Sequence, residues 1–307
     1  MVRAQSSAGM EPGRIESRQV EAGHPAWGLA SLAIAAGVAG AVLLGVPYLF
    51  GRLLELPSFA AMAPATLETA FTLVVFGLLG AFALLAVRFC MLPLPVVPGA
   101  AACTAVRTAT GLGIGVIGLT VSVALCAIAG TAQTGAGSGG GPGLLLLETV
   151  LLVIQSGAEE LYFRGWLQKD LERRWGAWPA LGAAALLFAA LHFVAAASEP
   201  LTFVTMLLGG LLFGLAYLRS GSILLPWMIH FGWNWAEEIG FGLTPNPGTG
   251  TFGALIDLDL VGSTWWGGGA EGLNASLSPV VVLLALIAAI AAWPSGEAAP
   301  RLKLYSA

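Results

Sequence analysis

Two carboxylates and a guanidinium lie close together in the segment 159–164, which reads EELYFR within a largely apolar sequence. An ionisable side chain in a lipid-embedded helix costs about 2.5 to 3.5 kcal/mol on insertion scales, so it usually faces a cavity or a partner and marks function. Glu160 and Arg164 are four residues apart, which places them on one helix face as an ion pair. Glu159 is rotated by about 100° from that face, so its carboxylate is free to do chemistry.

Two further helices carry polar groups, namely His192 on one and His230 with Asn234 on the other. His230 and Asn234 are four residues apart and share a helix face. If the helix that carries Glu159 continues to Gly176, a turn there pairs residues whose numbers sum to about 351 in an antiparallel hairpin. Glu159 and His192 satisfy that sum. We therefore expect the carboxylate and the imidazole to face each other on neighbouring helices.

A carboxylate and an imidazole within hydrogen-bond range can hold one water molecule and remove its proton, which is general base catalysis. His230 and Asn234 can donate hydrogen bonds to the oxyanion that forms when water attacks a carbonyl group. Metal chemistry is the alternative, because Glu159, His192 and His230 form a His₂Glu set compatible with catalytic zinc. The zinc motif H-E-x-x-H is absent from the sequence.

Three segments occur in order on hydrophobic helices: Glu159-Glu160-x-x-x-Arg164, Phe188-x-x-x-His192 and His230-x-x-x-Asn234. They resemble the three motifs of the CAAX-protease and bacteriocin-processing (CPBP, or Abi) family of intramembrane proteases, over roughly residues 145–240. The resemblance implies that Glu159 activates water with the help of His192. It also implies that His230 and Asn234 are the oxyanion donors.

The resemblance further implies that Glu160 and Arg164 support the catalytic helix. It implies an intramembrane endopeptidase whose partners are membrane lipid and a protein or peptide substrate, including one with a lipidated or membrane-anchored C-terminus. No cofactor is favoured, because Asn234 is a poor zinc ligand and a good hydrogen-bond donor. Zinc stays open as the alternative, with Glu159, His192 and His230 as its ligands.

These residues must be positioned by membrane-spanning helices. The mean hydropathy of the 307 residues is +0.84, and charged residues make up 10% of them. We predict an all-α polytopic membrane protein with about eight spans, at approximately 27–50, 66–87, 109–130, 144–163, 179–198, 201–218, 223–242 and 277–293. The connection 130–143 is rich in Gly and Ser, and the connection 243–276 contains no Lys or Arg.

The basic residues predict the orientation of these spans. With a cytoplasmic N-terminus, twelve of the 13 Lys and Arg residues fall on the cytoplasmic side, and Arg52 is the exception. We therefore predict that both termini are cytoplasmic, with an arm at 1–26, one transmembrane domain at 27–293 whose protease core is 144–242, and a tail at 294–307. The composition favours a bacterial source, and we predict a bacterial cytoplasmic membrane protein. The three polar segments predict that it acts near the cytoplasmic face. No basic face suited to nucleic acid is present.

Two other functions fit a polar membrane core. A non-catalytic immunity or scaffold protein could bind a partner in the same cavity, although a binder has no need of all four candidate catalytic residues. A proton-coupled transporter also places carboxylates and imidazoles within the membrane. Such a transporter is expected to show inverted repeats or paired broken helices, and the sequence shows neither convincingly.

Overall fold

The computed structural model describes residues 26–93, 101–137, 140–195 and 199–293. The predicted N-terminal arm and C-terminal tail lie almost entirely outside these ranges. The helices are α1 (Ala26–Leu54), α2 (Pro57–Ala60), α3 (Pro64–Phe89), α4 (Ala101–Ile128), α5 (Pro142–Glu160), α6 (Lys169–Trp175), α7 (Ala177–Ala195), α8 (Pro200–Ser220), α9 (Leu224–Trp235), α10 (Thr264–Gly267) and α11 (Leu277–Ala292). Two short strands, β1 (Ala132–Thr134) and β2 (Leu258–Leu260), complete the regular structure together with π-helical and 3₁₀ segments.

The predicted all-α class is confirmed, and the chain is an integral membrane protein. Each of the eight predicted segments overlaps a helix in the described part of the chain. Five helical segments of the described residues are long and apolar enough to cross a membrane: Ala26–Leu54, Pro64–Phe89, Thr104–Ile128, Pro200–Ser220 and Gly269–Ala292. Ala177–Phe193 is a shorter apolar helix. The total of eight spans and the location of the termini stay predictions.

The helix that carries Glu159 runs on without a break. Helix α5 begins at Pro142, whose fixed φ suits the first turn of a helix. A π-helical segment, Leu161–Gln168, joins α5 to α6. Gly176 ends α6 with a φ of +83°, a conformation that glycine adopts without strain. Helix α7 then returns alongside, which gives the antiparallel hairpin that the sequence predicts.

Close packing of α4 against α9 positions the helix that carries His230 and Asn234. A Cβ built on Gly115 of α4 would lie 2.2 Å from the carbonyl oxygen of Ile229 and 2.7 Å from the backbone nitrogen of Trp233. Glycine is therefore required for this approach, as is common where membrane helices touch. A second π-helical segment, Ala236–Gly240, extends α9 by more than one turn.

The two connections predicted as loops contain a small sheet. Strand β1 lies in the connection 130–143 and pairs antiparallel with β2 of the connection 243–276, with Ala132 opposite Leu260. Asp257 adds to this contact, because its carboxylate accepts a hydrogen bond of 2.6 Å from the backbone N–H of Gly137. Hydropathy could not reveal this pairing, because each strand has only three residues.

Candidate active site

Glu159 and His192 face each other across the α5–α7 hairpin. Glu159 Oε2 lies 4.0 Å from His192 Nε2. The other ring nitrogen, His192 Nδ1, lies 2.8 Å from the carbonyl oxygen of Phe188. A carbonyl oxygen only accepts, so Nδ1 carries a hydrogen, and Nε2 is the ring nitrogen that faces the carboxylate. The Glu159 side chain is buried, whereas that of His192 is 38% exposed.

Arg164 is fully buried, and its guanidinium links α5 to α8. Nη1 donates to Glu160 Oε1 at 2.9 Å, and Nη2 donates to the carbonyl oxygen of Gly210 at 2.9 Å. The guanidinium carbon also lies 5.3 Å from the ring centroids of Phe188 and Phe213. A buried charge needs this set of partners, because desolvation is otherwise too costly. The predicted Glu160–Arg164 pair therefore forms inside the protein.

Glu160 also contacts His230 of α9. His230 Nδ1 lies 3.0 Å from Glu160 Oε1, the same oxygen that accepts from Arg164. A carboxylate accepts, so Nδ1 is the donor and Nε2 is left to face the rest of the site. His230 donates from Nε2 only when its ring is protonated on both nitrogens. Phe213 fixes the ring plane by stacking at a centroid distance of 4.6 Å.

The candidate catalytic residues line one cavity of about 200 Å³. Glu159, His192, His230 and Asn234 all border it. Asn234 thus lies on the same cavity as the Glu159–His192 pair, one helical turn beyond His230. The structure brings the four residues together from three helices. Their roles in catalysis stay predictions.

The cavity has further polar walls that the sequence analysis did not single out: Gln155, Thr205, Glu237, Glu238, Thr244 and Asn274. The adjacent carboxylates Glu237 and Glu238 lie in a predicted span, and this is the same signal that identified the 159–164 segment. Thr205 and Asn274 gave no comparable signal, because single Thr and Asn residues are common throughout helices and loops.

A second cavity of about 230 Å³ adjoins Glu159 and His192 on the other side of the hairpin. Its other walls are nearly all apolar or aromatic and come from α1, α3, α5, the π-helical segment and α7: Ala39, Leu43, Phe76, Leu79, Tyr162, Phe163 and Leu191, with Gln155 as a polar exception. The carboxylate–imidazole pair therefore stands between a polar cavity and an apolar one.

The polar cavity extends away from the side that the basic residues predict to be cytoplasmic. It reaches Thr244 and Asn274, which belong to the connection 243–276. Arg164 contacts Gly210, the middle of α8, and not the end of that helix. These contacts place the site beside the middle of α8, and its position relative to the cytoplasmic face stays a prediction.

Zinc held by Glu159, His192 and His230 is the alternative to a metal-free site. Within the described ranges, no group of three or more His, Cys, Asp or Glu side chains is arranged to hold a metal ion. The choice between zinc and a metal-free mechanism stays a prediction.

The comparisons with known proteins agree with the motifs. Residues 141–236 match the model of the family described as type II CAAX prenyl endopeptidase Rce1-like. No curated protein and no solved structure matches the chain. The matched segment begins at the first residues of α5 and ends just beyond Asn234, so it contains every candidate catalytic residue. Residues 141–236 of this membrane protein are thus similar to the Rce1-like CAAX endopeptidases, which agrees with the resemblance to the CPBP family that the three motifs indicate.

Proposed function

We propose that this protein is an intramembrane endopeptidase that uses a water molecule as its nucleophile. The observation that carries the proposal is the pairing of Glu159 with His192 at 4.0 Å on the wall of a polar cavity. The similarity of residues 141–236 to a protease family supports the same activity.

The geometry of the pair suits the activation of water. The carboxylate of Glu159 and the Nε2 lone pair of His192 are both acceptors, and a water molecule between them can donate one O–H to each. Its oxygen lone pairs then face the cavity. As the water oxygen attacks the scissile carbonyl carbon, Glu159 takes the proton as general base, and His192 orients the water.

The remaining candidate residues stabilise the tetrahedral intermediate. The Asn234 side-chain amide donates to the oxyanion, and protonated His230 donates from Nε2. When the C–N bond breaks, Glu159 returns the proton to the leaving amine. Glu160 and Arg164 act through His230 and the helix backbone, because their contacts hold the ring of His230 in place.

The apolar cavity beside the pair supports a substrate that is itself in the membrane. Its walls would accept a lipid chain or an apolar segment next to the scissile bond, because burial of such a group is favourable. We propose a peptide substrate with a lipidated or membrane-anchored C-terminus, and a bacterial cytoplasmic membrane as the location. Nucleic acid has no part in this function.

Cleavage of a peptide panel by the purified protein in detergent tests the proposal. The panel includes prenylated CAAX peptides and apolar peptides without a lipid. The wild type is expected to cleave at least one peptide. Glu159→Gln and His192→Ala are each expected to lose activity by about 10²- to 10⁴-fold, the range for general acid–base residues.

Glu148→Gln is the matched control, because Glu148 is a buried carboxylate on the same helix that does not line the polar cavity. It is expected to keep activity. Equal activity of wild type and Glu159→Gln would disprove the assignment. Loss of activity on chelation, with recovery on addition of zinc, would support the metal alternative in place of the metal-free mechanism.

A further inference from the structure

Two carboxylates outside the proposed machinery line the polar cavity. Glu237 and Glu238 follow Asn234 on the π-helical extension of α9. Glu237 is buried and accepts a hydrogen bond of 3.0 Å from the side-chain amide of Asn274. Glu238 is half-buried. Neither carboxylate has a role in the proposed mechanism.

Carboxylates predominate among the ionisable side chains of this cavity. Among the described residues that line it, three are Glu and none is Lys or Arg. Neither Glu237 nor Glu238 forms an ion pair with Lys or Arg in the described part of the chain. Buried carboxylates without a cation are expensive, so residues of this kind usually meet a charged partner or a ligand.

Thr205 supplies a separate indication of a ligand in the same cavity. This α8 residue is 3% exposed and lines the cavity. Its hydroxyl has no hydrogen-bond partner in the described residues. Buried hydroxyls are normally satisfied, and a threonine in a helix often bonds a backbone carbonyl one turn earlier. A hydroxyl without a partner in a residue that lines a polar cavity is suited to a polar group that enters from outside.

We infer that the polar cavity binds a cationic group of the peptide substrate, with Glu237 and Glu238 as its carboxylate partners and Thr205 as an additional polar contact. This inference rests on the proposed function and names its substrate class. The chemistry required is an ammonium or guanidinium, which a Lys or Arg side chain or a free amino terminus supplies equally well.

The position of the cation follows from helix geometry. Glu237 and Glu238 lie three and four residues beyond Asn234, which is about one helical turn, and a turn rises roughly 5 Å along a helix. An extended substrate advances about 3.3 Å per residue. The cation therefore belongs within about two residues of the scissile carbonyl.

A peptide series tests the inference. A cleaved apolar peptide is varied within two residues of the scissile bond, with Lys, Arg, Gln or Glu at each position. A second set compares free with acetylated amino termini and thus separates the two sources of the cation. The wild type is expected to cleave the Lys or Arg peptides, or the free-amine peptide, at least about 10-fold more efficiently than the neutral ones, as hydrogen bonds between charged groups predict.

The double variant E237Q/E238Q is expected to abolish that preference while it still cleaves neutral peptides. Gln at position 237 can still accept from Asn274, so the fold is retained, and a thermal unfolding curve verifies this. E55Q is the matched control, because it removes one carboxylate from an exposed ion pair with Arg52. It is expected to keep the preference.

Different negative results would contradict the inference and the proposed function. Cleavage by the wild type without any preference for a cation would overturn the inference and leave the proposed function intact. A preference that persists in E237Q/E238Q would also overturn it, because the cation would then be recognised elsewhere. Absence of cleavage of every peptide would contradict the proposed function itself.

Discussion

Asn234 is the candidate catalytic residue whose contribution can be measured most cleanly. It borders the cavity, and its amide donates whatever the protonation state of the site. Replacement by Ala should lower kcat by about 10²- to 10³-fold, as for other single oxyanion donors, with little change in KM. Steady-state kinetics on a cleaved peptide check this. A rise in KM at unchanged kcat would assign Asn234 to substrate binding instead.

Individual residues also show what the sequence could predict. The meeting of Glu159 and His192 followed from counting along one hairpin, because both residues lie on helices joined by a single turn. The contact of Glu160 with His230 could not be predicted, because the two residues are separated by 70 positions and by three intervening helices. Local spacing contains no information on such distant packing.

At the scale of helices, the contact between α4 and α9 positions His230 and Asn234. Substitutions of two glycines on α4 test this contact. Gly115→Ala should push α9 away from α4, because the new Cβ would overlap the Ile229 carbonyl. We expect a lower Tm and loss of activity. Gly113→Ala is the control, since a Cβ there meets nothing within 4 Å. It should be neutral or slightly stabilising, by up to about 1 kcal/mol from helix propensity. Equal effects of the two variants would contradict the close approach.

Asp170 joins α1 to α6, at the end of the catalytic helix. Its carboxylate accepts hydrogen bonds from Ser31 at 2.7 Å and from Arg174 at 2.9 Å, as well as from Arg173. Burial acts to raise the pKa of Asp170, but the hydrogen bonds from Arg174, Arg173 and Ser31 outweigh it and hold that pKa below its usual value. A lowered pKa means stability that is present at neutral pH and is lost as the pH falls through the folded-state pKa.

Asp170→Asn should therefore destabilise the protein at pH 7 by about 1.5 to 3 kcal/mol, the range for hydrogen bonds to charged groups. The difference in Tm between wild type and variant should shrink as the pH is lowered below about 4, near the unfolded pKa of Asp. Thermal unfolding in detergent at several pH values measures this. Ser31→Ala removes one donor only and should have a smaller effect. A difference that is constant with pH would contradict the role of the charge.

At the scale of the whole molecule, the direction in which the cavity extends and the distribution of basic residues together predict the side of the membrane from which substrate enters. The cavity reaches Thr244 and Asn274 in the connection 243–276, which has no Lys or Arg. The positive-inside rule places that connection outside the cytoplasm. Substrate should then reach the polar cavity from the non-cytoplasmic side, while the apolar cavity holds its membrane-embedded part.

Labelling of cysteines from one side of the membrane tests this topology. In a background without Cys90, Cys103 and Cys126, Thr251→Cys provides an exposed thiol in the connection 243–276. A membrane-impermeant maleimide should label it in intact cells, because seven predicted spans precede this connection and one follows it, and an odd number of crossings from a cytoplasmic terminus ends outside. A cysteine appended after Ala307 should react only after permeabilisation. Labelling of both from the same side would require an even number of crossings between them and would contradict the predicted arrangement, which has one. A thiol at position 251 that reacts only after permeabilisation would reverse the side from which substrate enters.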